Sequence, residues 1–356
     1  MRRLQGRSGT ASVGTIIGII LVIFVSFSVA GCDWLFGAEP SAYIAGYYGS
    51  GSSDSVACYW EGSARQDLPS NGFAAEAWGI SFSGEVVLVA GTYKNALTHH
   101  VASMWKDGVR TDLPAPVASD DTRAVGAFGY GSDAYIAGFY YDNALGRFFA
   151  CYWKNGAVTS LAAPGTDFAK ADAISVDGST VRVVGFHAAT NEKACIWTDG
   201  TLADLSVPVA ATKSRAYAIH VSGGHVYVAG YHSDGSVKTA CVWTDGVRTD
   251  LSSGTDGSVG AVFNAAGTTY AAGYLKDASV AAASSWAGVV HSFLPAVSGK
   301  LSGASGVSVF EDSVYVSGFY GNASDIAVPC YWLDGVRVDL PTDGGLAGFA
   351  TAVAVR

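Results

Sequence analysis

The 356-residue sequence is poor in charged residues, which make up 14% of it, with 21 basic residues against 30 acidic ones. The net charge of −9 argues against nucleic acid as a partner. No apolar run reaches the roughly 20 residues that a membrane-spanning helix needs. The chain nevertheless holds 49% hydrophobic residues and 45 glycines, which suits a β-rich globular body and excludes a disordered one.

Motifs for catalysis and metal binding are also missing. Neither G-x-S-x-G nor H-E-x-x-H occurs, no nucleophile stands next to a base, and the seven histidines show no ligand spacing. We therefore predict no catalytic residue, no metal and no cofactor. A carboxylate pair such as Glu76 with Asp172 is left open, because distances across repeats cannot be read from sequence.

The N-terminal segment, up to Ser41, has the layout of an export signal. Three arginines precede a short apolar run, Ile16 to Ala30. Val29-Ala30-Gly31-Cys32 follows and resembles the bacterial lipobox. The resemblance implies that residues 1–31 are removed and that Cys32 is lipidated, for example with palmitate. Removal would take away three basic residues and no acidic one, which lowers the net charge to −12.

We expect residues 32–41 to be a lipidated cysteine with a short tether. The protein would then be bound to a membrane through Cys32 and lie in the cell envelope outside the cytoplasm, either in the periplasm or on the outer surface. Several acyl chains on one cysteine hold firmly where a single chain does not.

A repeat of about 45 residues, a length typical of propeller blades, covers the rest of the chain. It is marked by a glycine at the end of an apolar segment and by a tryptophan that follows each glycine at a nearly constant spacing. The seven glycines are Gly46, Gly91, Gly138, Gly185, Gly230, Gly273 and Gly318, and the tryptophans are Trp60, Trp105, Trp153, Trp197, Trp243, Trp286 and Trp332. The period and the alternating pattern predict an all-β, seven-bladed β-propeller with four antiparallel strands per blade over residues 42–356.

The copy from His225 to Leu251 sets the order of strands within a blade. An A strand at Ala216–Val221 comes first. The B, C and D strands follow at Val226–Tyr231, Thr239–Trp243 and Val247–Leu251. The chain enters at Ser41 in a B strand and finishes with an A strand, Gly348–Val355, so we expect this last strand to pair with the first repeat and close the ring.

Several repeated positions suit a scaffold. Small residues such as Ala77 and Gly79 recur on strand A, where they would let the inner strands approach closely. The tryptophans lie farther out and are expected to fill the space between blades. Five cysteines stand two residues before a tryptophan, and we interpret them as small buried packing residues. These cysteines are Cys58, Cys151, Cys195, Cys241 and Cys330.

The repeat pattern resembles a known family. It is similar to the bacterial extracellular repeats known as HAF repeats. The shared pattern is, in order, G-x-x, a variable loop, A-x-x-W-x-x-G, a terminal D-L and then A-x-A-I. The resemblance covers roughly residues 43–355, and the sixth repeat departs from it at Ala287-Gly288 and Phe293-Leu294. It implies a lipoprotein with a propeller domain and carries no catalytic residues to this sequence.

Two variable rings on one rim of the propeller are candidates for ligand binding. The first lies at the entrance of strand A, where charged and aromatic residues vary between copies. It consists of Glu76, Trp78, Arg123, Lys170, Asp172, Arg215 and Tyr217. The second, which we call the aromatic belt, stands two residues after the blade glycine. It consists of Tyr48, Tyr93, Tyr140, His187, His232 and Tyr320, and it is either a structural ring or a stacking surface.

These features predict a binding or scaffolding module that meets a protein or glycan partner at that rim. The alternatives are a propeller enzyme that acts on polysaccharide and a purely structural envelope lipoprotein. An acidic pair at the channel mouth would favour the enzyme, whereas an exposed apolar patch would favour a protein partner.

Overall fold

A computed structural model describes residues 40–51, 54–161, 163, 165–166 and 168–356. Residues 1–31, Cys32 and most of the expected tether lie outside the described residues. Among the described residues, no helix has the length and apolar character to cross a membrane.

Within this part the chain forms 28 β-strands and one short 3-10 helix, Asp343–Gly345. The first fourteen strands are β1 (Ala42–Gly49), β2 (Ser55–Glu61), β3 (Ala64–Asp67), β4 (Ala75–Ser83), β5 (Val86–Lys94), β6 (His100–Lys106), β7 (Val109–Asp112), β8 (Thr122–Tyr130), β9 (Asp133–Asp142), β10 (Arg147–Lys154), β11 (Ala157–Ser160), β12 (Phe168–Asp177), β13 (Thr180–Ala188) and β14 (Glu192–Thr198). The second fourteen are β15 (Thr201–Asp204), β16 (Lys213–Ser222), β17 (His225–Ser233), β18 (Lys238–Thr244), β19 (Val247–Asp250), β20 (Gly257–Ala265), β21 (Thr268–Asp277), β22 (Val280–Ala287), β23 (Val290–Phe293), β24 (Ser302–Phe310), β25 (Ser313–Gly321), β26 (Ala327–Leu333), β27 (Val336–Asp339) and β28 (Gly348–Val355).

The strands form seven four-stranded antiparallel sheets, as the repeat predicts. Six sheets are consecutive runs of four strands, from β4–β7 to β24–β27, and are blades 2 to 7. Blade 1 has the order β28-β1-β2-β3, so the last strand supplies its A strand. Ring closure by Gly348–Val355 is thus confirmed, and it leaves β1 paired on both edges.

The inner strands approach one another as closely as the small residues suggest. A Cβ atom placed on Gly79 of blade 2 would lie 2.7 Å from the backbone nitrogen of Ala127 in blade 3. One placed on Gly126 would lie 2.9 Å from the Cα of Ala173 in blade 4. No larger side chain fits at these positions without moving a neighbouring strand.

The seven tryptophans pack between blades. All are buried, and the hydrophobic clusters that contain them join residues of two neighbouring blades, such as Leu68 of blade 1 with Trp105 of blade 2. Their indole N–H groups also tie blades together, since Trp105 Nε1 donates to the carbonyl of Pro69 at 3.1 Å. The same bond recurs from Trp60 to Pro341, Trp153 to Pro114, Trp243 to Ser206, Trp286 to Leu251 and Trp332 to Pro295.

The five cysteines of the repeat are buried thiols, which confirms their packing role. Their burial raises the pKa of each thiol, as for Cys151. The Asp-Gly turns between strands C and D have positive φ at both residues, as in Asp245 (49°) and Gly246 (79°). In this turn Asp245 Oδ1 also accepts a hydrogen bond from the Val226 N–H at 2.9 Å, which fixes the start of strand B.

Candidate functional site

The two rims of the propeller differ in their loops. One rim, which we call the upper rim, carries the B–C loops and the D–A crossings. Strand A runs away from this rim, and strand B runs towards it. The lower rim carries the tight A–B and C–D hairpins. The predicted ligand-binding residues lie in the first half of strand A and therefore near the upper rim.

A β-bulge shapes strand A in every blade. Pairing with strand B skips one residue, as between Ala171 and Ala173 of blade 4, which leaves Asp172 outside the ladder. An extra residue of this kind re-aims its side chain and bends the strand. The skipped residues are Trp78, Val125, Asp172, Tyr217, Gly260, Ser305 and Thr351.

The bulge explains the glycine that marks each repeat. A Cβ atom on Gly185 would lie 2.0 Å from the carbonyl oxygen of Lys170, directly before the bulge. The other six repeat glycines meet a strand A carbonyl at 1.9 to 2.2 Å in the same way. Only glycine lets strand B pass this carbonyl.

A cleft of about 880 Å³ opens on the upper rim at blades 3, 4 and 5. Four phenylalanines and five acidic or basic side chains dominate its wall. The lining residues are Phe139, Tyr141, Leu145, Gly146, Arg147, Phe148, Phe168, Lys170, Asp172, Phe186, Glu192 and Arg215. Of the seven predicted ligand-binding residues, the structure thus brings Lys170, Asp172 and Arg215 together.

Lys170 is held by aromatic rings. Its Nζ lies 4.3 Å from the ring centroids of both Phe139 and Phe148, a distance at which a cation is attracted to the ring face. Within the described residues no carboxylate is in ion-pair range of this ammonium group. Burial lowers the pKa of Lys170, and the attraction of Asp172 partly opposes that effect.

Arg215 is fixed by two partners. Its guanidinium donates to both carboxylate oxygens of Glu192, at 2.9 and 2.6 Å, and its Cζ lies 4.2 Å from the Phe186 ring centroid. Because Arg215 comes from blade 5 and Glu192 from blade 4, this pair also joins two blades. The hydrogen bonds from Arg215 lower the pKa of Glu192, so this carboxylate is ionised at neutral pH.

Asp172 has no such partner. Its Oδ2 atom is buried and has no hydrogen-bond partner among the described residues. Burial raises the pKa of Asp172 to about 7, although Arg215 and Lys170 act in the opposite direction. The carboxyl group can therefore be neutral or charged near neutral pH and can act as a hydrogen-bond donor when neutral.

Comparison with known proteins supports the fold but identifies no family and no function. No protein-family model matches this chain, and no curated protein sequence matches it. The β-propeller domain of the Trilobed protease from Pyrococcus furiosus matches with a TM-score of 0.54 at 13% identity, over 86% of this chain and 93% of that one. That domain has an open velcro topology, whereas β28 closes blade 1 here.

Two further structures share the fold with a similar TM-score and sequence identity. The acylaminoacyl peptidase of Pyrococcus horikoshii matches with a TM-score of 0.52 at 12% identity. An acylaminoacyl peptidase in complex with Z-Gly-Gly-Phe-chloromethyl ketone also gives 0.52 at 12%. The two matches cover 86% and 87% of this chain but only 51% and 52% of the peptidases. This chain therefore spans about half the length of these peptidases.

The other four predicted ligand-binding residues are not among the residues that line the cleft. Trp78 packs against Tyr47 with ring centroids 5.6 Å apart, and Tyr217 packs against Tyr231 at 6.0 Å. The Arg123 guanidinium is paired with Asp121 at 2.8 Å. The cleft thus does not combine Glu76 with Asp172. Burial raises the pKa of Glu76 as well.

The aromatic belt forms internal ties within blades. The Tyr93 hydroxyl donates to Asp112 at 2.9 Å, and Arg110 pairs with Asp112 while lying 4.0 Å above the Tyr93 ring. Bonds from belt to strand D recur between Tyr48 and Asp67, Tyr140 and Ser160, His187 and Asp204, His232 and Asp250, and Tyr320 and Asp339. All six belt side chains are buried, which favours the structural interpretation over the stacking surface.

The sequence interpretation missed the aromatic wall of the cleft and its second acidic residue, Glu192. Phe139 and Phe186 each stand one residue after a blade glycine, a position that is aromatic in six of the seven repeats and could have been noticed. Phe148 and Glu192 carry no such signal, because they stand at the start of strand C, where the residues differ from blade to blade. No group of histidine, cysteine and acidic residues in the described part of the chain is arranged to hold a metal ion.

Proposed function

We propose that the protein is a membrane-anchored, extracytoplasmic binding module that holds a glycan or protein partner in the upper-rim cleft. The observation that carries the proposal is the cleft itself, which gathers cationic, acidic and aromatic side chains in one concave site of ligand size. The lipobox-like sequence that ends at Cys32 motivates the anchor and the location.

The place where the chain enters the propeller is compatible with this arrangement. Strand β1 begins at the lower rim, and there the Ser41 N–H donates to the carbonyl of Arg356 at 2.9 Å. Ser41, where the chain enters the propeller, thus lies on the rim opposite to the cleft.

Partner capture tests the proposal. The full-length chain in detergent is used for a pull-down from envelope extract and for a glycan array, beside Lys170→Gln and the matched control Lys300→Gln. Lys300 also lies near the upper rim, between blades 6 and 7, and pairs with Asp325. We expect Lys170→Gln alone to lose its partners. Identical capture by all three chains would refute the cleft as the site.

The lipid anchor has a separate test. Cys32→Ala should abolish palmitate labelling and move the protein out of the membrane fraction, whereas Cys58→Ala, a buried blade cysteine, should change neither. Unchanged labelling of Cys32→Ala would refute the anchor and leave the cleft proposal intact.

An enzyme acting on polysaccharide is the second candidate. Asp172 favours it, because a cleft carboxyl group with one buried, unpartnered oxygen and a pKa raised to about 7 has the property of a general acid in glycoside hydrolysis. Release of reducing ends from acidic or neutral polysaccharide, lost in Asp172→Asn, would establish this activity. Capture without any turnover would favour the binding module.

A further inference from the structure

The cleft has a local charge opposite to that of the whole protein. Its wall holds the cationic Arg147, Lys170 and Arg215 against two acidic groups, Asp172 and Glu192. With every group ionised the site keeps one positive charge, whereas the chain carries −9. A concave site with a net positive charge raises the local concentration of anions, so the cleft favours an anionic ligand.

Lys170 and Arg147 are the two cations in this wall without a carboxylate partner among the described residues, and Arg147 already donates to the carbonyl of Thr166 at 3.1 Å. The Lys170 ammonium occupies the faces of Phe139 and Phe148, so these rings orient and desolvate the cation instead of offering a free platform to a ligand. Arg215, in contrast, is already neutralised by Glu192. A desolvated ammonium with three donors and no paired carboxylate in the described residues would gain most from a carboxylate that enters the cleft.

A carboxylate alone would not satisfy the rest of the wall. Asp172 Oδ2 and Arg147 Nε are buried without hydrogen-bond partners among the described residues, one an acceptor when ionised and the other a donor. Arg215, paired with Glu192, is not free to bind a second carboxylate. Hydroxyl groups both donate and accept, so a ligand with one carboxylate and neighbouring hydroxyls matches a wall of mixed sign.

We infer that the cleft binds an acidic sugar, with the carboxylate of a hexuronate residue at Lys170 and its hydroxyl groups towards Asp172 and Arg147. This inference rests on the proposed function and specifies its ligand class. An acidic peptide is less suited, because Arg215 is already paired with Glu192 and the peptide lacks a set of adjacent hydroxyls.

Calorimetric titration of the full-length chain in detergent tests the inference. The probes are a linear glucuronate tetrasaccharide, a neutral glucose tetrasaccharide and a tetraglutamate peptide. We expect the glucuronate probe to bind at least about tenfold more tightly than the other two, since hydrogen bonds to charged groups are worth this much or more. Lys170→Gln should lose about tenfold in affinity for it and Lys300→Gln none, with unchanged thermal midpoints.

The outcomes separate the inference from the proposed function. Equal binding of the neutral and acidic sugars, both weakened by Lys170→Gln, would overturn the acidic ligand and retain a glycan module. Binding of tetraglutamate alone would also overturn it. If no probe binds while the envelope pull-down still depends on Lys170, the acidic sugar is wrong and the cleft stands; loss of both would remove the proposed function as well.

Discussion

Closure of the ring by β28 can be tested with a single methyl group. A Cβ atom on Gly46 of β1 would lie 2.1 Å from the carbonyl oxygen of Phe349 in β28 and 2.7 Å from Trp60 Cζ3. Ordinary contact begins at 3.4 Å, so in Gly46→Ala the Phe349 carbonyl must withdraw by more than an ångström. Gly49, in the same strand, offers a matched control because its nearest neighbour is the Ala347 oxygen at 3.7 Å.

The expected magnitude follows from these distances. A backbone shift forced by overpacking costs about 1–3 kcal/mol, while replacing glycine with alanine restricts the unfolded chain and returns about 0.5 kcal/mol. We expect Gly46→Ala to lower the free energy of unfolding by about 2 kcal/mol and the thermal midpoint by several degrees. Gly49→Ala should stay within about 0.5 kcal/mol of the parent.

Urea unfolding of the full-length chain, followed by tryptophan fluorescence, measures this difference, because Trp60 lies beside the substituted atom. The midpoints of the parent, Gly46→Ala and Gly49→Ala are compared at equal slope. Equal midpoints for the two variants would contradict the close packing of β28 against β1.

Three further predictions concern the ties between strands and the buried acid. Trp105→Phe should lower the free energy of unfolding by about 2 kcal/mol, since it removes the bond to Pro69 and leaves a cavity; a chemical-denaturation midpoint equal to the parent's would contradict this. Tyr93→Phe should cost about 1 kcal/mol in the same assay, because Asp112 loses a donor, and no loss would speak against the belt as a tie. The pKa of Asp172 is about 7 in the folded protein and near 4 in the unfolded chain, so the parent protein should lose stability as pH rises from about 4 to 7. Asp172→Asn lacks this titration, so its free energy of unfolding should rise relative to that of the parent over the same pH range. A pH-independent difference between the two proteins would refute the raised pKa.

The fold was predictable because its information is repeated seven times. Each copy carries the same glycine and tryptophan, and the incomplete first and last copies reveal how the ring closes. A B strand at Ser41 without an A strand, and an A strand at Gly348–Val355 without a B strand, leave one natural pairing. The structure confirms that pairing from Ala42 opposite Val355 to Tyr48 opposite Gly348.

The cleft was predictable only in part, because it depends on features that do not repeat. Lys170, Asp172 and Arg215 stood out as variable positions on a repeated strand. The Glu192 partner of Arg215 lies 23 residues away and in another blade, so only the three-dimensional arrangement pairs them. The bulge that sets Asp172 apart from its ladder also has no signature of its own beyond the glycine that faces it.

Site-specific photocross-linking tests whether the partner binds in the upper-rim cleft. Leu145 at the cleft and Leu301 in the crossing between blades 6 and 7 are similarly exposed, at 57% and 53%, and each is replaced in turn by a photoreactive phenylalanine. We predict that irradiation in envelope extract yields an adduct from position 145 that Lys170→Gln suppresses, and none from position 301. Adducts of equal yield from the two positions, or an adduct from position 301 alone, would show that the cleft is not the binding site.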